Sequence, residues 1–276
     1  METETVMSEG QRVLVLGARG GIGGEVARQM RDAGWTIRAL QRGLAVEREE
    51  RDGIDRWRGD AMTRSDVLRA ARGCAVIVHA VNSPGYRRSA ELVLPMSDHT
   101  VAAAIAEQAC IVLPGTIYNF GPGAFPRLAE DSPQHRTTRK GAIRVEPERR
   151  IKQATLKGAR ALIVRAGDFF GPRVASSWFS MGLVEPGKAV STIKNPSRSG
   201  IGHPWSYRPD VARTVVELLA MRDRLDPFAV FQPPGTGTRT TRRWRPTWPG
   251  SWPDVRRTRR ASRPFHGGWC RCSRLS

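Results

Sequence analysis

A glycine-spaced turn between an apolar run and a helical pattern restricts the possible folds of this chain more than any other feature. Residues 13–16 read Val-Leu-Val-Leu, which is typical of a strand buried on both faces. Gly17, Gly20 and Gly23 follow at three-residue spacing and permit a tight turn. The pattern then predicts a helix that begins near Ile22 and a second strand over residues 35–40.

This order of strand, glycine turn, helix and strand predicts a dinucleotide-binding unit. The turn lets the backbone approach a pyrophosphate, and the start of the helix directs its amides at that phosphate. A glycine turn without a ligand is the alternative, because turns also use glycine for backbone reasons alone. The strands on both sides of the turn favour the ligand-binding interpretation.

Strand-like and helix-like segments alternate along the rest of the chain. Strands are predicted over 53–58, 75–80, 110–113 and 161–165, and helices from Thr63, over 89–108 with an interruption at Pro95, over 138–156 and over 209–220. This alternation predicts an α/β fold with a doubly wound parallel sheet, the Rossmann fold, and a small C-terminal substrate-binding region. The predicted divisions are a dinucleotide-binding domain over 11–166, a partial substrate-binding region over 167–232 and an aberrant tail over 233–276.

The composition of the chain changes near Gln232. Residues 232–276 hold 11 of the 45 basic residues and one of the 26 acidic ones, so this stretch carries +10 of the net charge of +19. All 11 are arginine, and aliphatic residues nearly vanish, which is typical of a GC-rich gene read in a shifted frame. An Arg/Trp-rich arm that binds nucleic acid or anionic lipid is the alternative. We favour the frameshift, and nucleic acid is then not an expected partner.

The cysteines and the apolar segments indicate the compartment. The cysteines are scattered, and the two that lie close together, Cys270 and Cys272, fall in the aberrant tail, so no metal site is predicted. Residues 1–10 lack the pattern of a signal peptide, and no apolar run is long enough to span a bilayer. We therefore expect a cytoplasmic protein without a membrane partner.

The carboxyl ends of the predicted strands carry small residues and a few polar ones. In a doubly wound sheet, ligands bind beyond these ends, so the residues there are expected to line a groove for an extended cofactor. The predicted cofactor-binding residues of the turn and the strand ends are Gly17, Ala18, Arg19, Gly20, Gly21, Ile22, Gly23, Arg42, Asp60, Ala61, Ala80, Val81, Ala166 and Gly167.

The end of the second strand distinguishes between the two nicotinamide dinucleotides. An NAD site usually presents a carboxylate there to the ribose hydroxyls, but this chain has Gln41 and Arg42. A guanidinium pairs with a 2′-phosphate, and Arg19 in the turn is placed to share that charge. The sequence thus favours NADP over NAD, the alternative being that Arg42 only solvates a loop.

Several ordered motifs between residues 12 and 231 resemble the short-chain dehydrogenase/reductase superfamily, in its extended and atypical branches with nucleotide-sugar epimerases, dehydratases and isoflavone-reductase-like proteins. The motifs are the turn at 17–23, Gly59-Asp60, residues 76–81, residues 165–172 and residues 209–212. The resemblance implies that Asp60 contacts adenine and that Lys140 binds the nicotinamide ribose.

The catalytic signature of that superfamily is incomplete in this chain. Its members use a tyrosine as acid/base, a lysine four residues later and a serine or threonine that orients the substrate. Lys140 matches the lysine, but Arg136 stands at the tyrosine position, and no Tyr-x-x-x-Lys occurs in the sequence. Pro114 aligns with the serine, so Thr116 substitutes only if the loop shifts, and Tyr118 is expected to pack beneath that loop.

These features predict an NADP-binding oxidoreductase or epimerase-like enzyme acting on a small or sugar-derived carbonyl compound. The predicted catalytic residues are Thr116 and Lys140, which would stabilise an oxyanion. Among the histidines, His203 is the best candidate to face a substrate cleft, and His79 is expected to be packed. The alternative is a non-catalytic NAD(P)-sensing regulatory protein, because the tyrosine is missing. A small-molecule substrate and a homodimer are the partners we expect.

Overall fold

The computed structural model describes residues 11–82, 88–124, 128–173, 177–183, 187, 203–233 and 236–238. The strands are β1 Arg12–Leu16, β2 Thr36–Gln41, β3 Arg48–Arg51, β4 Ile54–Arg58, β5 Val76–His79, β6 Cys110–Thr116, β7 Arg160–Ala166, β8 Asp168–Phe170, β9 His203–Tyr207, β10 Phe228–Phe231 and β11 Thr236–Thr238. The α-helices are α1 Gly21–Asp32, α2 Arg64–Ala71, α3 Ser89–Glu107, α4 Arg139–Thr155 and α5 Arg208–Ala220.

The large sheet has the order β10-β7-β6-β5-β1-β2-β4-β3. Its paired neighbours are parallel except at the edge, where β3 runs antiparallel to β4. The strand order reverses beside β1, which has β2 on one side and β5 on the other. This topology confirms the predicted doubly wound sheet and brings the carboxyl ends of its parallel strands to one edge.

Helices cover both faces of the sheet because alternate strand residues point to opposite sides. Val13 and Val15 of β1 pack in a core with residues of α1 and α5. Leu14 and Leu16 pack on the other face in a core with residues of α2, α3 and α4. These four side chains of β1 are fully buried, as the apolar run predicted.

Two prolines do not break their elements where the sequence predicted. β6 was expected to end at Leu113, but it continues through Pro114 to Thr116. The β5–β6 register ends at Val112, whereas the β6–β7 register reaches Thr116, so Pro114 lies where β6 is paired on one side and its missing N–H is tolerated. The predicted interruption at Pro95 is also wrong, because α3 is continuous and the buried residues Val93 and Met96 anchor the turn around this proline.

A second, smaller sheet of order β11-β9-β8 follows the large one. An aromatic group packs on it, with the rings of Trp178 and Trp205 stacked 5.5 Å apart and Phe179 edge-on to Trp205 at 5.4 Å. Within the stretch predicted to be the tail, which begins at residue 233, β11 pairs with β9. Residues 239–276, with Cys270 and Cys272 and the proposed frameshifted sequence, lie outside the described residues. None of the described helices is long and apolar enough to cross a membrane.

Candidate active site

The glycine turn between β1 and α1 has no room for side chains. Gly17 has φ +91°, and a Cβ built on it would lie 2.5 Å from the carbonyl oxygen of Ala80. A Cβ on Gly23 would lie 2.4 Å from the carbonyl oxygen of Gly17. The amide of Gly20 donates to that same oxygen at 2.8 Å. Glycine is therefore required for the turn to pack against the end of β5, where Ala80 and Val81 follow the strand.

The start of α1 suits an anionic ligand. The helix begins at Gly21 after an extended Gly20, with no side-chain cap hydrogen bond and no acidic residue in its first turn. The amides of a helix start and the helix dipole both favour a bound phosphate. The glycines leave open a space that side chains would otherwise fill, and the helix start that follows has no side-chain cap. Together, these two features fit the diphosphate of a dinucleotide.

An ion pair lies beyond the end of β2, in the predicted cofactor groove. Arg42 follows β2, and its Nη1 lies 3.9 Å from Oδ2 of Asp60, with the two side chains 68% and 37% exposed. The other oxygen of Asp60 accepts a hydrogen bond from the amide of Met62 at 2.9 Å. His99 of α3 hydrogen-bonds the carbonyl of Ala61 at 2.9 Å through Nδ1. Asp60 and Ala61 are thus held in a defined loop, while the guanidinium of Arg42 remains exposed.

Four polar side chains meet beyond the carboxyl ends of β6 and β7, and we call them the Tyr118 cluster: Lys140, Tyr118, Asp168 and His203. The hydroxyl of Tyr118 donates to Oδ1 of Asp168 at 2.7 Å. Nε2 of His203 lies 2.8 Å from Oδ2 of the same carboxylate. Nζ of Lys140 lies 3.8 Å from the centroid of the Tyr118 ring. Tyr118 thus makes polar contacts beyond the packing role expected for it.

Burial and neighbouring groups set the protonation states of this cluster. Burial lowers the pKa of Lys140, the charge of Asp168 opposes that shift, and Arg144 adds to it. Burial alone would raise the pKa of Asp168, but hydrogen bonds from His203 and Tyr118 outweigh burial and bring that pKa below its usual value. At neutral pH, Asp168 is therefore a carboxylate that accepts from both neighbours.

Thr116 is the last residue of β6, and its hydroxyl oxygen caps the 3₁₀ turn that carries Tyr118. The Oγ1 atom accepts from the amide of Tyr118 at 3.2 Å, which leaves the hydroxyl proton available to donate. Gly167 separates β7 from Asp168, and a Cβ there would lie 2.0 Å from the carbonyl oxygen of Pro204. β9, which bears His203, therefore approaches the end of β7 only because residue 167 is glycine.

A buried ion pair supports the cluster from below. Glu148 of α4 and Arg165 of β7 are each 3% exposed, and Nη2 and Nε of the arginine donate to the two carboxylate oxygens at 2.8 and 3.3 Å. Asn119, the neighbour of Tyr118, donates to the same carboxylate at 2.8 Å, and Gln134 donates to it at 2.7 Å. This network ties the turn of Tyr118 to both α4 and β7.

The structure brings together residues that sequence reasoning kept apart. Lys140 and Thr116 were predicted as catalytic, and both lie next to Tyr118, whereas Asp168 and Glu148 were not among the predicted site residues. The position of Asp168, two residues after β7, was the signal that could have identified it. His203 takes part in the cluster, and His79 is buried with its Nδ1 2.8 Å from Oγ1 of Thr100, as its predicted packing implies.

The described residues contain no group of three or more His, Cys, Asp or Glu side chains that could hold a metal ion. Cys74 and Cys110 are buried free cysteines. Burial raises the pKa of both thiols to about 11, so they remain neutral. Neither thiol is suited to act as a nucleophile or metal ligand.

Known proteins resemble this chain both in sequence pattern and in fold. A family model described as the NAD dependent epimerase/dehydratase family matches residues 13–230. Among similar solved structures, UDP-glucose 4-epimerase from Brucella ovis in complex with NAD has a TM-score of 0.66 and 13% identity, over 83% of this chain and 79% of that chain. A dTDP-glucose 4,6-dehydratase from Streptomyces venezuelae with NAD and TYD bound has a TM-score of 0.65 and 16% identity, over 83% and 77%.

These structures share the fold of this chain at low sequence identity. No curated protein sequence is detectably similar to it. The family match covers most of the chain and confirms the resemblance to the extended branch, with its epimerases and dehydratases. The chain therefore belongs to the NAD dependent epimerase/dehydratase family.

Proposed function

We propose that this protein is an oxidoreductase or epimerase-like enzyme that binds NADP and acts on a small or sugar-derived carbonyl compound. The observation that carries the proposal is the Tyr118 cluster, in which a phenol lies against a lysine at the same sheet edge as the glycine turn. The Brucella ovis epimerase and the Streptomyces venezuelae dehydratase, which share this fold, both hold NAD.

Different residues around the sheet edge hold different parts of the dinucleotide. The turn and the start of α1 would hold the diphosphate, the loop after β4 would hold the adenosine, and the ends of β5 and β7 with Lys140 would hold the nicotinamide and its ribose. Arg42 and Arg19 pair with the 2′-phosphate that distinguishes NADP. When bound, the nicotinamide supplies or accepts a hydride.

The Tyr118 cluster handles the proton that accompanies hydride transfer. Reduction of a carbonyl requires a proton for its oxygen, and the hydroxyl of Tyr118 is the donor. That hydroxyl donates its proton to the carboxylate of Asp168 in the structure, and it turns from Asp168 to the carbonyl oxygen when a substrate is bound. The ammonium of Lys140 over the ring then stabilises the phenolate that remains after transfer.

The other members of the site support this transfer. His203, whose Nε2 lies 2.8 Å from Oδ2 of Asp168, holds that carboxylate in position against Tyr118, and the phenolate left after transfer regains its proton from solvent. The hydroxyl of Thr116, next to the amide of Tyr118, donates a hydrogen bond to the developing oxyanion. This arrangement replaces the absent Tyr-x-x-x-Lys signature by contacts that the fold creates between distant residues.

Turnover measurements on matched tyrosine variants test the proposal. NADPH binding is followed by fluorescence, and NADPH oxidation is then measured with small aldehydes, ketones and nucleotide-linked keto-sugars. We expect Tyr118→Phe to keep the affinity for NADPH and to lower kcat about 100-fold or more, because it removes the proton donor. Tyr207→Phe, on an exposed tyrosine at the end of β9, is the control and should resemble the wild type.

A non-catalytic NAD(P) sensor is the second candidate. The observation that favours it is Arg136, which stands where the resembled family has its tyrosine, four residues before Lys140. A sensor would bind the dinucleotide and, in the wild type as in Tyr118→Phe, turn over none of the carbonyl compounds. That set of results would replace the enzyme proposal by the sensor.

A further inference from the structure

An arginine lies buried behind the glycine turn with an incomplete set of partners. Arg208 is the first residue of α5 and is 1% exposed. Its Nη1 lies 2.6 Å from the position that a Cβ on Gly21 would take, so the guanidinium occupies the space of the side chain that Gly21 lacks. Gly21 is also the first residue of α1, so the positive charge of Arg208 lies at this helix start.

The hydrogen bonds of Arg208 leave most of its donors unused. Nη1 donates to the carbonyl oxygen of Arg173 at 3.2 Å. Nε and Nη2 are buried and have no hydrogen-bond partner among the described residues. Leaving buried donors of a charged group without partners is costly, so this arrangement requires a compensating interaction.

The nearby carboxylate does not supply that compensation. Glu25 of α1 already accepts from Arg28 at 2.5 Å, from Arg173 at 3.1 Å and from Gln29 at 3.1 Å. Burial opposes its ionisation, but these hydrogen bonds lower the pKa of Glu25 to about 2. Two guanidinium groups therefore pair directly with this one carboxylate, and with the charge of Arg208 nearby the whole group keeps an excess of positive charge.

We propose that Arg208 is an electrostatic determinant of dinucleotide binding, whose buried charge attracts the diphosphate held at the start of α1. The proposal rests on the proposed function, since it assumes that a dinucleotide binds at the turn. A guanidinium beneath Gly21 and the dipole of α1 act in the same direction, and both favour an anion with two negative charges. Arg208 acts through space from behind the turn, because its side chain is buried.

The burial and the charge of Arg208 predict opposite effects of its replacement on the stability of the unliganded protein and on its affinity for phosphate ligands. Replacing a buried, poorly paired charge by an apolar side chain of similar length is often neutral or stabilising for the protein without ligand. The same replacement removes a positive charge near the diphosphate. A purely structural arginine would instead stabilise the unliganded protein and leave phosphate recognition unchanged.

The experiment compares Arg208→Met with Arg208→Lys and with Arg213→Met, a control on the same helix whose side chain is 54% exposed. Dissociation constants for NADPH, NADH and ADP are measured, together with adenosine, which lacks phosphate. The melting temperature of the unliganded protein is the second readout. For Arg208→Met we expect at least about tenfold weaker binding of the three phosphate ligands, unchanged adenosine binding and an unchanged or higher melting temperature.

Arg208→Lys should retain most of the affinity, because it keeps the charge, and Arg213→Met should bind as the wild type does. The inference is overturned if Arg208→Met binds NADPH and ADP as tightly as the wild type. It is also overturned if the affinity for adenosine and the melting temperature decrease together with the affinity for NADPH and ADP. If the wild type binds neither NADPH nor NADH, the proposed function itself fails and this inference fails with it. Wild-type binding that Arg208→Met leaves intact refutes this inference alone.

Discussion

Arg42 is the residue on which the proposed preference for NADP chiefly depends, with Arg19 as the second cation. Its side chain is 68% exposed, and its nearest carboxylate, on Asp60, is 3.9 Å away. An exposed pair at this distance contributes little to stability, so the guanidinium can turn toward a phosphate at small cost. A charge-assisted, bidentate contact with the 2′-phosphate would then be stronger than the contact it replaces.

Replacing Arg42 with alanine should separate the two dinucleotides. We expect about tenfold weaker binding of NADPH and unchanged binding of NADH, because only NADPH has the phosphate that the guanidinium would meet. Fluorescence titration with both dinucleotides measures this ratio. Arg51→Ala is the control, since Arg51 is 73% exposed on the edge strand β3. Equal losses for both dinucleotides would show that Arg42 does not select NADP.

Of the proposed catalytic pair, Lys140 and Tyr118, the sequence could identify only the lysine. Lys140 was predicted from a family motif, but the motif places its tyrosine at residue 136, where this chain has arginine. Tyr118 meets Lys140 because the end of β6 and the start of α4 converge, and a local spacing rule cannot detect a contact between such distant residues. The contact between Asp168 and His203 escaped prediction for the same reason, since it depends on the pairing of β8 with β9.

Between elements, α4 and β7 are joined by the buried pair of Glu148 and Arg165. Breaking a buried pair by removing one partner typically costs about 3–5 kcal/mol, because the other charge stays buried without compensation. We expect Glu148→Gln to lower the free energy of unfolding by about 3 kcal/mol, since an amide cannot accept from Arg165 at both positions. Urea unfolding at pH 7 measures this loss.

The matched control lies two residues earlier on the same helix. Glu146 pairs with Arg149 and Arg150 at the surface, and such pairs contribute less than about 1 kcal/mol. Glu146→Gln should therefore change the free energy of unfolding only slightly. If both variants lose the same amount, the buried network does not anchor the turn of Tyr118.

The elements were predictable where hydrophobic pattern and backbone chemistry agree. The unit β1–α1–β2 was predicted because its apolar run, glycine spacing and helical pattern all support one arrangement. β3 was missed because its sequence, Arg-Glu-Glu-Arg, has no apolar residue and pairs only at the sheet edge. Pro95 was predicted to interrupt its helix and Pro114 to end its strand, whereas packing and the pairing of neighbouring strands decide where elements end.

Over the whole molecule, the buried imidazole of His79 makes stability depend on pH. The side chain ends β5 between the sheet and α3, where Oγ1 of Thr100 donates to the carbonyl of Met96. Because Oγ1 of Thr100 donates its own proton to Met96, it is available to accept from Nδ1 of His79 at 2.8 Å, and the neutral ring needs no second proton. Burial lowers the pKa of His79 from 6.5 to about 4, and the charge of Arg144 acts in the same direction.

The folded state thus binds fewer protons than the unfolded state between pH 6.5 and about 4. Stability linked to His79 is fully present above pH 6.5, falls as the pH decreases through this window and changes no further below pH 4. The total loss corresponds to about 3 kcal/mol. Glu25, whose pKa is about 2 in the folded state, adds a separate loss below pH 4.5.

Urea unfolding at intervals from pH 7.5 to 4.5 tests this prediction with His79→Asn, whose amide can still donate to Thr100 but does not titrate. The variant should show a flatter dependence of unfolding free energy on pH between 6.5 and 4.5 than the wild type, because only the wild-type unfolded chain gains a proton at residue 79. His135→Asn, at an exposed loop histidine, should keep the wild-type slope. An equal slope in His79→Asn and the wild type would mean that other groups cause the acid sensitivity of the fold.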